Sequence, residues 1–245
     1  PVGPLEMSSH GFVSPISRDA EVMAHRIEDT IWVTVGGEEK ILPGPVVNEL
    51  LSRRIEEFVQ LTDGRAFVLF TSYRTMRDAA TRLEGFLRKK GWRLLMQGEG
   101  MPRHKMFEEF RRDIHSVLFG TDSFWTGVDV PGESLRLVVM EGVPWVKPSV
   151  LHAARRMANG GSAYDDRIIR ARLAQAFGRL IRSKDDSGHF VVLSPAFPSR
   201  LLGAFPPGTP VLRVTLDEAL QRLAAGVGGT GSAGASAPRG EAASP

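Results

Sequence analysis

Residues 175–183, which read QAFGRLIRS, carry two arginines three positions apart and a glycine among apolar residues. The apolar spacing predicts an amphipathic helix with Gln175, Arg179 and Arg182 on the face opposite the buried stripe. Because glycine inside a helix costs about 1 kcal/mol relative to alanine, Gly178 is best explained by a group that packs closely there. Two guanidinium groups can bind a phosphate in forked geometry. The segment therefore predicts an anion site, although a solvated polar face also fits the arginines alone.

The segment 120–132, GTDSFWTGVDVPG, is a second candidate binding loop. Its glycines permit a close approach of backbone N–H groups to an anion, and its hydroxyl groups suit contacts with phosphates. Since ligands of open parallel sheets bind beyond the carboxyl ends of the strands, we expect the polar segments that follow strands to share one edge. Thr71 or Ser72 can alternatively cap the next helix. The other polar segments that follow predicted strands are 71–74, 97–100 and 141–145.

Short buried strands that alternate with amphipathic helices are predicted from residue 46 to residue 225. Continuous apolar runs such as AFVLF at 66–70 are typical of strands buried on both faces. This alternation predicts an α/β domain in which a parallel sheet carries helices on both faces. The predicted strands are 66–70, 93–96, 116–119, 135–140, 189–193 and 210–214, and the predicted helices are 46–59, 76–87, 106–114, 149–158, 164–182 and 216–224.

The two ends of the chain differ from this pattern. Residues 1–45 are weakly patterned, with one strand candidate, IWVTV at 31–35, and we expect a connecting segment. Residues 226–245 are mostly Gly, Ala and Ser and bury too little apolar surface to offset the ordering entropy, so we expect a disordered tail. The chain begins with Pro1 rather than Met, which we interpret as a sign of a processed or truncated chain.

The composition of the 245 residues is that of an ordinary globular protein, with 24% charged residues and a net charge of +3. No cysteine is present, which excludes disulfides, thiolate zinc sites and cysteine-bound iron–sulfur clusters within this chain. The histidines show no metal-ligand spacing, so no metal site is predicted. No apolar run approaches the ~20 residues that span a bilayer, and no signal peptide pattern opens the chain. We therefore expect a cytoplasmic protein without a membrane partner.

Three segments resemble, in the right order, motifs of superfamily 2 helicases. Residues 67–74, FVLFTSYR, resemble motif IV, and residues 120–132 resemble motif V of the DinG/XPD branch. The string Gln175-x-x-Gly178-Arg179-x-x-Arg182 resembles motif VI. By this resemblance, which runs from about residue 60 to about residue 200, the chain is identified as the second RecA-like motor domain of a bacterial DinG/XPD-like ATP-dependent DNA helicase.

The resemblance implies a role for each matched residue. Arg182 would be the arginine finger on the γ-phosphate of ATP, Arg179 would pair with phosphate or with motif V, and Gln175 would orient the hydrolytic site. Such a finger offsets charge on the transferred phosphoryl group and contributes about 10³–10⁵ in rate. The residues implied in ATP binding, or in coupling nucleotide state to DNA, are Gly127, Asp129 and Gly178. The residues implied in contacts with single-stranded DNA are Ser72, Thr121, Asp122 and Gln97.

The sequence departs from the complete family pattern in two respects. Many relatives carry an acidic residue where this chain has Thr126, and no lysine-bearing phosphate loop or acidic Mg²⁺-binding box occurs. We therefore expect ATP and Mg²⁺ to be bound mainly by an N-terminal RecA-like domain outside these residues, which would also hold any iron–sulfur cluster. The partners expected are that domain and single-stranded or forked DNA. Alone, the chain is expected to be inactive as an ATP hydrolase.

Two further functions are compatible with the sequence. The missing phosphate loop and the basic character also fit a stand-alone, non-catalytic module that binds nucleic acid. The glycine-rich segment 120–132 also fits an unrelated nucleotide-binding α/β transferase. The three ordered motif resemblances favour the helicase.

Overall fold

Five short strands precede the first helix in the computed structural model. β1 and β2 form an antiparallel pair, and β3, β4 and β5 form an antiparallel meander. The prediction of one strand in residues 1–45 was therefore wrong in number, although IWVTV does lie within β4. β1, β2 and β3 have only three or four residues, too few for their alternation to show in the sequence, whereas the six-residue β5 was missed despite its length. The strands are β1 (Glu6–Ser8), β2 (Ser14–Ile16), β3 (Ala24–Ile27), β4 (Thr30–Val35) and β5 (Glu38–Pro43).

The structure describes most of the chain beyond this point. The described residues are 6–8, 14–16, 24–27, 30–35, 38–121, 124, 135–180, 188–194 and 197–228, with side chains described from residue 47 to residue 226 within these ranges. The predicted tail at 226–245 lies almost entirely outside them.

A parallel sheet of five strands forms the centre of the domain and confirms the predicted α/β class. The order is β10-β9-β6-β8-β7, and each neighbouring pair is parallel. The carboxyl ends of all five strands therefore lie at one edge, as predicted for the polar segments that follow them. The strands are β6 (Ala66–Phe70), β7 (Arg93–Met96), β8 (Ser116–Thr121), β9 (Leu137–Met140) and β10 (His189–Val192).

Helices cover both faces of the sheet. Along β6, Phe67 and Leu69 belong to one buried cluster, and Ala66, Val68 and Phe70 belong to the other. The first cluster includes side chains of α3, α5 and a 3-10 helix at Ser199–Ala204, and the second includes side chains of α1, α2 and α6. This double burial explains the unbroken apolar run of β6. The helices are α1 (Gly44–Leu61), α2 (Tyr73–Lys90), α3 (Arg103–Arg112), α4 (Val150–Ala158), α5 (Ser162–Leu180) and α6 (Leu216–Gly228).

The predicted strand at 210–214 was wrong. Only Arg213 and Thr215 make isolated bridges, and Leu212 is 39% exposed. Pro210 lacks a backbone N–H, and Arg213 interrupts the apolar run, so a continuous ladder is not favoured. Within the described ranges, none of the helices combines the length and the apolar character required to cross a bilayer.

Candidate functional site

A cavity of about 430 Å³ opens at the carboxyl edge of the sheet, beside the ends of β6 and β8. Segments that follow three different strands contribute to it, together with the first turn of α4 and the middle of α5. Its polar lining combines hydroxyl groups with basic side chains, which suits an anionic ligand. The hydroxyl groups are those of Thr71, Ser72, Tyr73, Thr121 and Ser149, and the basic side chains are Lys147, His152 and Arg172.

Ser72 both caps α2 and lines the cavity. The backbone N–H of Thr75 donates to Ser72 Oγ at 3.1 Å, and the two hydroxyl groups lie 2.8 Å apart. The alternative prediction of a helix cap at Thr71 or Ser72 is thus confirmed for Ser72. Since the capping residue also faces the cavity, capping and ligand contact are compatible at this position.

Glu141 fixes the end of β6. The backbone N–H and the hydroxyl group of Thr71 donate to Glu141 Oε2 at 2.8 and 2.7 Å, and the backbone N–H of Glu141 donates to Leu69 O at 2.8 Å. These hydrogen bonds join the segment after β6 to the segment after β9. The structure therefore brings together two of the strand-end segments that the sequence placed at one edge.

Gln97 holds Thr121 in position. Its Oε1 accepts hydrogen bonds from the backbone N–H of Thr121 at 2.8 Å and from the Thr121 hydroxyl at 3.0 Å. Its own carbonyl oxygen accepts a hydrogen bond from the Tyr73 hydroxyl. Thr121 lines the cavity, whereas Gln97 does not. The side-chain amide oxygen of Gln97 therefore orients the end of β8.

Arg172 points to the strand-end cavity. It is partly buried, and its Nη1 donates to Pro144 O at 3.1 Å. Gln175, which the sequence placed on the arginine face of α5, is exposed and lies outside this cavity. A helical projection shows which residues share a face but not which of the neighbouring elements each residue meets.

Two residues at the start of α4 line the cavity: Ser149, which caps the helix, and His152 in its first turn. Ser149 Oγ accepts a hydrogen bond from the backbone N–H of His152 at 3.1 Å. The His152 Nε2 atom lies 2.8 Å from Asp165 Oδ1, and the ring stacks on Tyr164 with centroids 5.9 Å apart. Arg156 donates to the other Asp165 oxygen at 2.7 Å. Asp165 therefore ties α4 to the start of α5.

Arg179 lies near the carboxyl end of α5 and is partly buried. Burial lowers the pKa of its guanidinium group below the usual range, and the neighbouring positive charge of Arg103 lowers this pKa further. A partly buried guanidinium group is the kind of side chain that an anion site requires.

The space beside the Cα atom of Gly178 is not filled by any described residue of this chain. A Cβ atom at this position would meet nothing within 4 Å, so no described group of the chain packs closely there. The expectation of a close contact at Gly178 is therefore not met by the described residues.

Replacing Gly178 with alanine is expected to stabilise the isolated chain by about 1 kcal/mol, because alanine restores helix propensity without a clash. Urea unfolding followed by circular dichroism measures this change. Gly64→Ala is the matched control, since Gly64 has φ +84° and its added Cβ would lie 3.1 Å from a backbone atom of His115. Destabilisation by Gly178→Ala would show that a group of this chain does pack there.

Four predicted site residues lie outside the described residues: Asp122, Gly127, Asp129 and Arg182. Of the other six, Ser72 and Thr121 meet in the cavity, Gln97 supports it, and Gln175, Gly178 and Arg179 lie along the later turns of α5. Sequence reasoning missed Lys147, Ser149 and His152. Ser149 is the first residue of the predicted helix at 149–158, and a serine at the start of a helix is a recognisable capping signal. Among the described residues, no group of three or more His, Asp or Glu side chains is placed to hold a metal ion.

Two protein families match the sequence. The family described as "Helicase C-terminal domain" matches residues 55–205, which is more than half of the chain. A second family, described as "Putative exonuclease, RdgC", matches residues 1–68. The two matches overlap at residues 55–68, which comprise the end of α1, the following turn and most of β6.

Curated relatives agree with both matches. The ATP-dependent DNA helicase YoaA of Haemophilus influenzae is 38% identical over 141 residues, which are 55% of this chain and 21% of YoaA. The recombination-associated protein RdgC of Xanthomonas axonopodis pv. citri is 62% identical over 66 residues, which are 26% of this chain and 22% of RdgC. The chain thus spans about a fifth of the length of these relatives. A solved XPD helicase aligns with a TM-score of 0.47 and 17% identity over 60% of this chain and 28% of its own.

Proposed function

The chain belongs to the family of helicase C-terminal domains, and from this premise we propose that it is the C-terminal motor half of a cytoplasmic ATP-dependent DNA helicase. It supplies the segments that resemble motifs IV, V and VI to an ATP site completed by a first RecA-like domain. The 38% identity with YoaA, which is named an ATP-dependent DNA helicase, supports this choice.

The cavity at the carboxyl edge of the sheet is the observation that carries the DNA-binding part of the proposal. Hydroxyl groups of Ser72 and Thr121 line it beside the cationic side chains of Lys147 and Arg172. Hydroxyl groups and cations are the usual donors to the phosphates of a nucleic-acid backbone. We assign the cavity to a phosphate of single-stranded or forked DNA.

The ATP-binding part of the proposal rests on the carboxyl end of α5. Arg179 is a partly buried cation near the carboxyl end of α5, and a guanidinium donor fits the phosphates of a nucleotide. Arg182 follows three positions later in the sequence and is assigned as the arginine finger. Gly178, Gly127 and Asp129 are assigned to the same nucleotide-linked surface. ATP and Mg²⁺ are bound mainly by the first RecA-like domain, and ATP supplies the phosphoryl group whose transfer to water drives movement.

Replacing Lys147 or Arg172 with glutamine is expected to weaken binding of a fluorescein-labelled oligothymidylate. Removing one cation from a DNA phosphate should reduce the slope of log K against log salt by about 0.7. Fluorescence anisotropy of the whole chain between low and moderate salt measures both quantities. Lys89→Gln is the matched control because Lys89 is exposed at the far end of α2. Equal binding by all three variants would contradict the assignment of the cavity.

The stand-alone nucleic-acid-binding module predicts the same behaviour towards oligonucleotide. ATP hydrolysis distinguishes the two functions. When the chain is combined with a first RecA-like domain, DNA-stimulated ATP hydrolysis is expected only if the chain is the motor half of a helicase. The match to the helicase family removes the support for an unrelated transferase.

A further inference from the structure

Trp145 is an exposed aromatic side chain in the segment that joins β9 to α4. Its exposed fraction is 49%, the largest among the Trp, Phe and Tyr side chains that the structure describes. Tryptophan is highly buried on average in folded proteins, and where it is exposed it is enriched at surfaces that bind a partner. The indole ring of Trp145 is therefore a candidate binding surface.

Hydrogen bonds hold the backbone on both sides of this ring. The backbone N–H of Trp145 donates to Val143 O at 2.8 Å, and Val143 is buried. The carbonyl oxygen of Pro144 accepts the hydrogen bond from Arg172 Nη1 at 3.1 Å. Arg172 itself lines the cavity at the carboxyl edge of the sheet. The segment that carries the ring is thus tied directly to a cationic side chain of that cavity.

The residues that follow Trp145 in the chain belong to the wall of the same cavity. Val146 and Lys147 both line it. Two residues span at most about 7 Å between Cα atoms, so the backbone of Trp145 lies within that distance of Lys147. A strand whose phosphate binds at Lys147 therefore passes close to Trp145.

Arg200 adds a positive charge beside the indole ring. Its guanidinium carbon lies 6.0 Å from the centre of the ring, at the outer limit of a cation–π contact. Its Nε donates to both carboxylate oxygens of the buried Asp166, at 3.0 and 2.9 Å. Although Arg200 is held in this way, 57% of its side chain is exposed. An aromatic ring with a cation beside it is the combination that binds the bases and phosphates of single strands.

We propose that Trp145 is a stacking platform for one base of a single strand whose backbone phosphate binds in the cavity. This inference rests on the proposed function and adds to it a contact for the base, which the cavity alone does not supply. Every base has a π face, so stacking tolerates any sequence, as movement along DNA requires. A free phosphate ion would use the cavity and gain nothing from the ring. The ligand is therefore a strand with unpaired bases.

Replacing Trp145 with leucine is expected to weaken binding of a fluorescein-labelled oligothymidylate to the whole chain about 5- to 100-fold, which corresponds to the loss of one stacked base. Because no charge is lost, the slope of log K against log salt should remain that of the wild type. Fluorescence anisotropy between low and moderate salt measures both quantities. Trp145→Phe keeps an aromatic ring and should recover part of the affinity.

Ile114→Ala is the matched control for the loss of an exposed apolar side chain. Ile114 is 38% exposed and lies just before the amino end of β8, at the opposite edge of the sheet from the cavity. This variant should bind oligothymidylate as the wild type does. A loss of affinity equal to that of Trp145→Leu would contradict a specific role for the ring.

An abasic oligonucleotide of the same length separates the contribution of the bases from that of the phosphates. It keeps the charge of the strand and lacks the groups that stack, so the wild type and Trp145→Leu should bind it equally. Equal binding of oligothymidylate by these two proteins overturns the stacking role. An equal loss of affinity for both oligonucleotides in Trp145→Leu overturns it as well, because the ring would then not act through a base.

The proposed function fails in a different way from the stacking role. A wild-type chain that binds neither oligonucleotide at low salt contradicts DNA binding and, with it, the stacking role. Salt-dependent binding that is insensitive to Trp145→Leu contradicts the stacking role alone. If Trp145→Leu lowers the thermal midpoint of the chain, the quenching of tryptophan emission by unlabelled oligothymidylate replaces the affinity measurement. Trp145→Phe should then show less quenching than the wild type, and equal quenching in both proteins overturns the proposal.

Discussion

Replacing Arg182 with alanine is expected to lower ATP hydrolysis about 10³-fold or more in a helicase assembled from this chain and a first RecA-like domain. The transferred phosphoryl group accumulates negative charge, and a guanidinium group that meets it only in the transition state acts on kcat rather than on KM. Phosphate release in the presence of single-stranded DNA measures the rate. Arg182→Lys should recover little activity, because an ammonium group lacks the planar fork of arginine.

Arg167→Ala is the matched control for this experiment. Arg167 is an exposed arginine on α5, far from its carboxyl end, and it donates to Asn159 O at 2.9 Å. Its loss removes the same charge from the chain and should leave kcat within about twofold, as for a surface substitution outside a binding site. ATP hydrolysis near the wild-type rate in Arg182→Ala would remove the arginine-finger assignment.

The alternating α/β pattern was predictable because each central strand is buried on both faces. Phe67 and Val68 face opposite clusters, so no polar residue interrupts the run, and the strand is visible without any knowledge of its partners. Helix α2, which follows β6, is capped at its carboxyl end by Gly91, whose φ of +72° favours glycine. The apolar run at 210–214 wrongly predicted a strand, because most side chains there are exposed and no continuous ladder forms.

The candidate site was predictable only in part. Ser72 and Thr121 follow strands, so the position of their segments at one edge follows from parallel pairing alone. Arg172 lies within the helix predicted at 164–182. Its hydrogen bond to the Pro144 carbonyl, however, depends on the path of a segment without a periodic pattern. The hydrogen bond from Arg103 Nη2 to Phe124 O could not be predicted from the sequence either, since it joins residues 21 positions apart.

The first part of the chain carried the least information about structure and function. Its strands pair antiparallel, and β1, β2 and β3 have only three or four residues each. Helix α1, by contrast, was predicted from apolar spacing, and it contacts both β5 before it and α2 and α6 after it. The two family matches therefore meet on an element that packs against both parts of the chain.

Replacing Phe58 with alanine is expected to destabilise the chain by about 3–5 kcal/mol, a large share of the ~5–15 kcal/mol that stabilises a typical domain. Phe58 is fully buried, and it packs with Ile55 and Val59 in the cluster that covers the α1 face of the sheet. Urea unfolding measures the change in free energy. Gln60→Ala is the matched control, since Gln60 is exposed on the same helix and should change stability by less than about 0.5 kcal/mol.

The same variant tests whether the two matched segments form one cooperative unit. Because α1 follows β5 directly and supplies side chains to the sheet core, weakening its packing should raise amide exchange in residues 24–43 and in β6 together. A rise in β6 with unchanged exchange in residues 24–43 would show that the β3–β5 meander is stable without the helicase domain. A joint rise would show that α1 couples residues 24–43 to the helicase C-terminal domain, so that destabilising either one destabilises the other.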